Sequence, residues 1–276
     1  MTSSTPLGVF DSGYGGLTVL KEIVKEFPQY DYLYLGDNAR SPYGTRSFET
    51  VYRYTLQCVN WFFSQGCPLV ILACNTASAK ALRTIQQSDL QKIVPGKKVL
   101  GVIRPSTEVI GNFSESKNVG ILATNGTVTS NSYVIEIEKF FPGLKVFQQA
   151  CPLWVPLVEN DEYKNHGADF FVKKYINQLL EQSPAIDTIL LACTHYPLLH
   201  DKIREFTPAD IKILSQGKMV ASSLADYLHR HPEIESKISS GRTKKFYTTD
   251  STEDFDRHAP NFYGAEVKSD HIDLEA

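Results

Sequence analysis

Several features that would decide the class of this chain at once are missing from it. No stretch approaches the roughly 18 apolar residues of a membrane span, so no membrane association is expected. The opening MTSSTPLGVF carries neither a basic region nor a long apolar core, so no secretory leader is expected. There is no basic excess either: 28 Lys and Arg face 31 Asp and Glu, and the longest basic cluster, RTKK at 242–245, is short and follows Ser-Ser-Gly. Nucleic acid would need a clustered positive face, so none is predicted as a partner. Cysteine is sparse: five residues, an odd number, at irregular spacing with no C-x-x-C pair. That excludes a disulfide framework and a zinc site, and points to reduced thiols in a cytoplasm. Cys58, in an aromatic helical stretch, and Cys67, beside Pro68, read as core.

What is present is ordinary in bulk. Hydrophobic content of 42% and charged content of 21% suit a globular protein, and 276 residues allow one large domain or two moderate ones.

The informative stretch is LVILACNTASA at 69–79, with a partial echo, ILLACTHYP, at 189–197. A continuous apolar run of this length reads as a strand buried on both faces, as in a parallel sheet under helices. Polar residues begin where each run stops, so Cys74 and Cys193 fall at the carboxyl ends of strands, where open α/β sheets bind ligands.

Strands are predicted over 7–10, 31–35, 69–73 and 98–103, then over 118–123, 144–148, 187–192 and 246–249. Helical spacing predicts helices from Leu17 to Phe27 and over 47–64, 76–88, 168–182 and 218–240, with a short one starting at 252–257. Asp11 or Ser12 is the expected cap of the first helix. The order strand, glycine-bearing polar loop, strand, strand-Cys-Thr occurs twice. An α/β fold of two similar halves with largely parallel sheets follows, and their strand ends face a shared cleft. The expected division is residues 1–103 with 212–276 as one domain and 104–211 as the other.

A strand-to-helix transition after a cysteine aims backbone N–H groups at the thiol and favours the thiolate. Asn75, Thr76 and Ser78 near Cys74, and Thr194 and His195 near Cys193, suit a small polar ligand. A cysteine phosphatase would need Arg where Lys80 stands. A thiol protease would use His195 but leave Cys74 without a task. The Gly13-x-Gly15-Gly16 loop is a weak dinucleotide signal. Thiols on opposite walls suit a two-base reaction, in which one removes a proton from a carbon and the other returns one to the opposite face. The alternative is that both cysteines are buried fillers.

FDSGYGGL (10–17), GDNARSPYG (36–44), ACNTAS (73–78) and ACTHYPLL (192–199) resemble, in order and across nearly the whole chain, the motifs of the glutamate racemases. These enzymes make D-glutamate for bacterial peptidoglycan. The resemblance implies two pseudo-twofold-related α/β domains with the active site between them, L- and D-glutamate as ligands, no pyridoxal phosphate or other cofactor, no metal, and a homodimer. It implies that Cys74 and Cys193 are the acid/base pair. Asp11, Ser12, Tyr43, Gly44, Asn75, Thr76, Thr124, Thr127, Thr194 and His195 would be substrate contacts. Asp11, Asp37, Glu159 and His195 would be ancillary groups near the thiols. Each of these four has a plainer reading: Asp11 as a helix cap, Asp37 as the organiser of its loop, Glu159 as solvated surface, His195 as a structural histidine. Ala192 departs from the glycine many members carry before the second cysteine. Related racemases of aspartate or another amino acid, and a non-catalytic small-acid-binding protein, are the competing functions.

Overall fold

The computed structural model describes residues 5–93 and 96–274. Residues 1–4, on which the expectation of no leader partly rests, lie outside that range. The strands are β1 (Leu7–Asp11), β2 (Tyr32–Gly36), β3 (Leu69–Leu72), β4 (Lys98–Gly101), β5 (Asn118–Ala123), β6 (Lys145–Ala150), β7 (Thr188–Ala192), β8 (Lys212–Ser215), β9 (Lys244–Thr248) and β10 (Ser269–His271). They form two sheets, β10-β9-β2-β1-β3-β4 and β6-β5-β7-β8. Every pairing is parallel. The fold is α/β, as the apolar runs predict.

The two sheets share one strand order. β2-β1-β3-β4 corresponds to β6-β5-β7-β8, and β3 and β7, which lead into the two cysteines, occupy equivalent places. The likeness extends to packing. A Cβ on Gly8, in β1, would lie 2.7 Å from the ring of Phe62 on the helix Phe48–Ser64. A Cβ on Gly120, in β5, would lie 2.7 Å from Leu179 on the helix His166–Leu180. In each half glycine in the central strand admits a helix side chain against the backbone. One buried apolar cluster includes Val9, Leu20 and Ile71 from the first half and Leu122, Trp154 and Leu191 from the second, so the halves share a core.

Local signals explain most element starts. Ser47 accepts from Thr50 N at 3.1 Å and caps the helix Phe48–Ser64; Asn165 does the same for His166–Leu180 through Gly167 N at 3.0 Å. The first helix differs from expectation. It begins at Leu17 with Gly16 at its cap position, so neither Asp11 nor Ser12 caps it. The run expected over 76–88 is broken into Asn75–Lys80, Leu82–Thr84, a π turn at Ile85–Asp89 and Leu90–Ile93. The run expected over 218–240 stops at Arg230, and a separate turn starts at Pro232, whose ring blocks the preceding helix from continuing.

The tail divides between the sheets. β8 pairs with β7, so Lys212–Ser215 belongs with the second sheet, and the expected boundary at 211/212 falls one strand early. β9 and β10 extend the first sheet from β2. Neither β8 nor β10 shows a distinctive apolar run: both lie at sheet edges and both are short. Among the described residues no helix is long and apolar enough to cross a membrane. All five cysteines are unpaired and buried, including Cys58 and Cys67, which sit in the core as expected.

Candidate active site

Cys74 follows β3, and Cys193 follows β7. Both line one small cavity, with Ser12, Ser41, Pro42, Tyr43, Gly44, Asn75, Thr76, Thr124, Val155, Thr194 and His195. Its volume is about 20 Å³, room for about one water molecule. A larger cavity of about 670 Å³ behind the helix Asn75–Lys80 contains neither thiol and little of this polar lining, so it is not where this chemistry would occur.

The two thiols have different surroundings. Cys74 is itself the cap of the helix Asn75–Lys80: its Sγ accepts from Ala77 N at 3.4 Å and lies 3.4 Å from Ser12 Oγ. These contacts favour a thiolate, but burial outweighs them. With the Asp11 carboxyl nearby adding to it, burial pushes the Cys74 thiol up to about 12, so it holds its proton. Cys193 has no helix-capping arrangement. A 3₁₀ turn follows it, and its Sγ lies 4.0 Å from His195 Nδ1.

His195 links that thiol to a carboxylate, its Nε2 lying 3.0 Å from Glu159 Oε1. Burial opposes the imidazolium, yet the contacts to Cys193 and Glu159 prevail and hold the ring well above its ordinary value. The edge of the imidazole also packs against Phe262, with ring centroids 5.4 Å apart. Glu159 is therefore not merely solvated surface; it also accepts from Ser41 Oγ at 3.4 Å. Replacing it by glutamine keeps the shape and removes the charge that favours the imidazolium. Glu159→Gln should lower kcat roughly 10- to 100-fold, the scale of a hydrogen bond to a charged group, with Tm unchanged. Steady-state kinetics beside a melting curve checks this, and an unaltered kcat would reduce Glu159 to a structural contact.

Asp11, fully buried, accepts from Gly13 N at 3.0 Å and from Thr194 Oγ1 at 3.3 Å. Burial raises its carboxyl to about 6 against the opposing pull of His195 and of the N–H groups of Gly13 and Gly16. The loop it anchors presses on the second half: a Cβ on Gly15 would lie 2.3 Å from Thr194 Oγ1 and 2.4 Å from His195 Nδ1. Across the cleft Thr76 Oγ1 lies 2.9 Å from Thr124 Oγ1, which lies 3.2 Å from Thr127 Oγ1. Thr124 lines the cavity; Thr127 stands behind it, fully buried.

Asp37 sits elsewhere. Its carboxylate is held by Arg40 Nε at 2.7 Å, by Thr249 Oγ1 at 2.8 Å and by the hydroxyl of Tyr43, and it touches neither thiol. Arg40 in turn reaches Cys58 Sγ at 3.5 Å and stacks over Tyr54. The network shapes the loop 36–44, which places Tyr43 and Gly44 in the cavity wall. Ser41, Pro42 and Val155, which carry no site signal of their own in the sequence, also form that wall. The first two lie inside the GDNARSPYG segment; Val155 is one apolar residue among many and gives no signal. Among the described residues no cluster of His, Cys, Asp and Glu is arranged to hold a metal ion.

This arrangement offers two sulfur acid/base groups facing one small space, each with its own ionisable neighbour. The profile of the Asp/Glu/Hydantoin racemase family matches residues 8–222. The chain belongs to this racemase family. A glutamate racemase of Sulfurihydrogenibium sp. is 38% identical over 270 residues, covering 98% of this chain and 97% of the relative. A crystal structure of a Bacillus anthracis glutamate racemase isoform matches with TM-score 0.89 and 32% identity, over 99% of this chain and 98% of that one. A Francisella tularensis glutamate racemase in complex with D-glutamate matches with TM-score 0.86 and 30% identity, over 99% of each chain. A racemase is an isomerase. The duplicated sheets and paired thiols of this family member are thus the frame of an enzyme.

Proposed function

We propose that this chain is a glutamate racemase that interconverts L- and D-glutamate by two-base proton transfer between Cys74 and Cys193. The observation that carries the reading is that both thiols, at equivalent strand ends of two like sheets, line the same cavity. The name shared by the relatives supports glutamate over aspartate or another amino acid.

In the reaction one sulfur, as thiolate, takes the α-proton, and the electron pair stays on the α-carbon. The opposite thiol then gives its proton to the other face, so the product is the mirror image and the sulfurs have exchanged roles. The α-proton is very weakly acidic, and this chemistry has no electron sink, so the site itself must stabilise the developing charge. Preorganised donors do this: the Asn75 amide, the Thr76 hydroxyl, and backbone N–H groups at the start of the helix Asn75–Lys80 face the α-carboxylate, while Thr194 lines the same wall with its hydroxyl turned to Asp11. Asp11 pairs with the substrate ammonium and keeps it charged, which acidifies the neighbouring C–H. That ammonium also brings positive charge to a site where Cys74 otherwise keeps its proton. His195, held by Glu159, stands beside Cys193 as its ionisable neighbour. Ser12, Tyr43, Gly44 and Thr124, with Thr127 behind it, complete the substrate walls, and Asp37 serves by shaping the loop that carries Tyr43. A glutamate is far larger than the space present, so the walls part to admit it.

The product suits peptidoglycan synthesis in a bacterial cytoplasm. The working unit is two α/β domains, residues 1–103 with 216–276 and residues 104–215, assembled as a homodimer, which sedimentation would verify.

The test is incubation of the purified protein with L-glutamate in D2O, following optical rotation and α-deuterium. D-Glutamate carrying solvent deuterium is the expected result. Exchange with aspartate alone would keep the mechanism and change the substrate. Absence of exchange with any acidic amino acid would favour a binding protein that clamps a small acid.

A further inference from the structure

Beside Cys74, three buried side chains close a ring of hydrogen bonds. Asn75 Nδ2 donates to Gln216 Oε1 at 2.7 Å; Gln216 Nε2 donates to Tyr133 Oη at 2.7 Å; Tyr133 Oη donates to Asn75 Oδ1 at 2.6 Å. Gln216 Nε2 also lies 3.1 Å from the Val102 carbonyl and 2.8 Å from Ser106 Oγ, so its two N–H groups are shared among three acceptors. Asn75, Gln216 and Tyr133 are 2%, 4% and 0% exposed, so water does not compete with these bonds.

The ring has one sense, and a backbone group sets it. A carbonyl can only accept, so Val102 O fixes which end of the Gln216 amide is nitrogen. Gln216 Oε1 then faces Asn75, which must present a donor to it. Tyr133 accepts from Gln216 and has a single proton left, which goes to Asn75 Oδ1. Burial raises the Tyr133 phenol well above its ordinary value, so that proton stays. An Asn75 amide turned the other way would set two acceptors 2.7 Å apart. Asn75 lines the cavity, and the ring uses only one of its two amide N–H groups.

We propose that Gln216 and Tyr133 are positioning residues that lock the Asn75 carboxamide with its free N–H toward the substrate carboxylate. The assignment of that carboxylate to Asn75 rests on the racemase reading above; the locking itself does not. The ring joins four pieces of chain: the helix after Cys74, the segment 102–106 by which the chain leaves the first sheet, the helix Ser132–Phe140, and residue 216, where it leaves the second sheet. A donor aimed from this junction is fixed relative to both halves.

Two readouts test this, and one needs no turnover. In side-chain amide NMR with ¹⁵N labelling, the Asn75 carboxamide is identified by its loss in Asn75→Ala. In the wild type its protons should exchange slowly and stay sharp, and Tyr133→Phe and Gln216→Leu should each speed their exchange more than about tenfold, the least expected for loss of a buried hydrogen bond. Unchanged exchange in both variants would overturn the locking. In kinetics each variant should lower kcat/KM for glutamate roughly 5- to 100-fold. In an Asn75→Ala background the same changes should cost less than about threefold more, because they act through a side chain already removed. Full additivity there would make Gln216 and Tyr133 merely structural. A wild type with locked Asn75 protons and no glutamate turnover would defeat the racemase reading and leave the lock standing.

Discussion

Cys74→Ser and Cys193→Ser should each lower racemisation of glutamate by at least about 10³-fold, within the span expected for loss of a general acid or base. A serine hydroxyl matches the thiol in shape but is a far weaker acid, so it neither becomes the base nor readily returns the proton. The fold should persist: both cysteines lie just beyond the ends of their strands, Cys74 two residues after Leu72 and Cys193 directly after Ala192, so neither belongs to a sheet ladder. The informative measurement is α-proton exchange in D2O, made separately on each enantiomer. A variant with one sulfur can still pull a proton from one face and return a deuteron to that face. Each single variant should therefore wash deuterium into one enantiomer without inverting it, and the two variants should choose opposite enantiomers. Near-normal racemisation by either variant would end the two-base scheme. The same enantiomer chosen by both would mean the sulfurs do not face opposite sides of the α-carbon.

How far this scheme was legible in the sequence depends on what kind of signal each part leaves. The strand ends were readable because β3 and β7 are buried on both faces, and double burial writes itself as an unbroken apolar run closed by Ala-Cys. The correspondence between halves was readable for the same reason, together with the glycine-bearing polar loop after the first strand of each half. Two of the four edge strands were not: β8 and β10 are short and have no uniform run to announce them. The helix break at Arg230 was announced by Pro232 two residues on, and the continuing periodicity concealed it. For the site, the motifs gave residue identities but not charge states. A cysteine at a helix start reads as thiolate-favouring, yet the Cys74 thiol is protonated because burial, a property of the whole assembly, exceeds what one N–H at 3.4 Å returns. Asp37 carries the same lesson, since only the fold shows its carboxylate turned to Arg40 and Thr249. Gln216 and Tyr133 stand in segments with no motif at all. Their meaning lies in a ring drawn from distant parts of the chain, which no local pattern encodes.

Asp11→Asn should stabilise the protein near neutral pH while crippling it as a catalyst. Burial lifts the carboxyl of Asp11 from 3.8 to about 6. Below about pH 4 this group is neutral in both folded and unfolded chains and costs nothing. As pH rises, the unfolded chain releases its proton first, so the native state holds more protons and loses stability until pH passes about 6. The shift of about two units corresponds to about 3 kcal/mol, all of it felt above pH 6. Asparagine stays neutral throughout, so the difference in Tm between variant and wild type should be near zero around pH 4 and on the order of 5–10 °C around pH 8. A pH-independent difference would mean that the Asp11 carboxyl titrates alike in the folded and unfolded chains. Catalysis should move the other way. The acidic limb of the wild-type kcat/KM profile should follow an apparent pKa near 6 and disappear in Asp11→Asn, along with most of the activity, because the neutral amide no longer pairs with the substrate ammonium. Glutamate itself supplies the missing cation, so it should raise the wild-type Tm more at pH 8 than at pH 5 and should barely move that of the variant. A residue kept only for structure would show none of this opposition. A buried carboxylate found to weaken the protein by itself and to be relieved by glutamate would be a binding determinant held in strain until the substrate arrives.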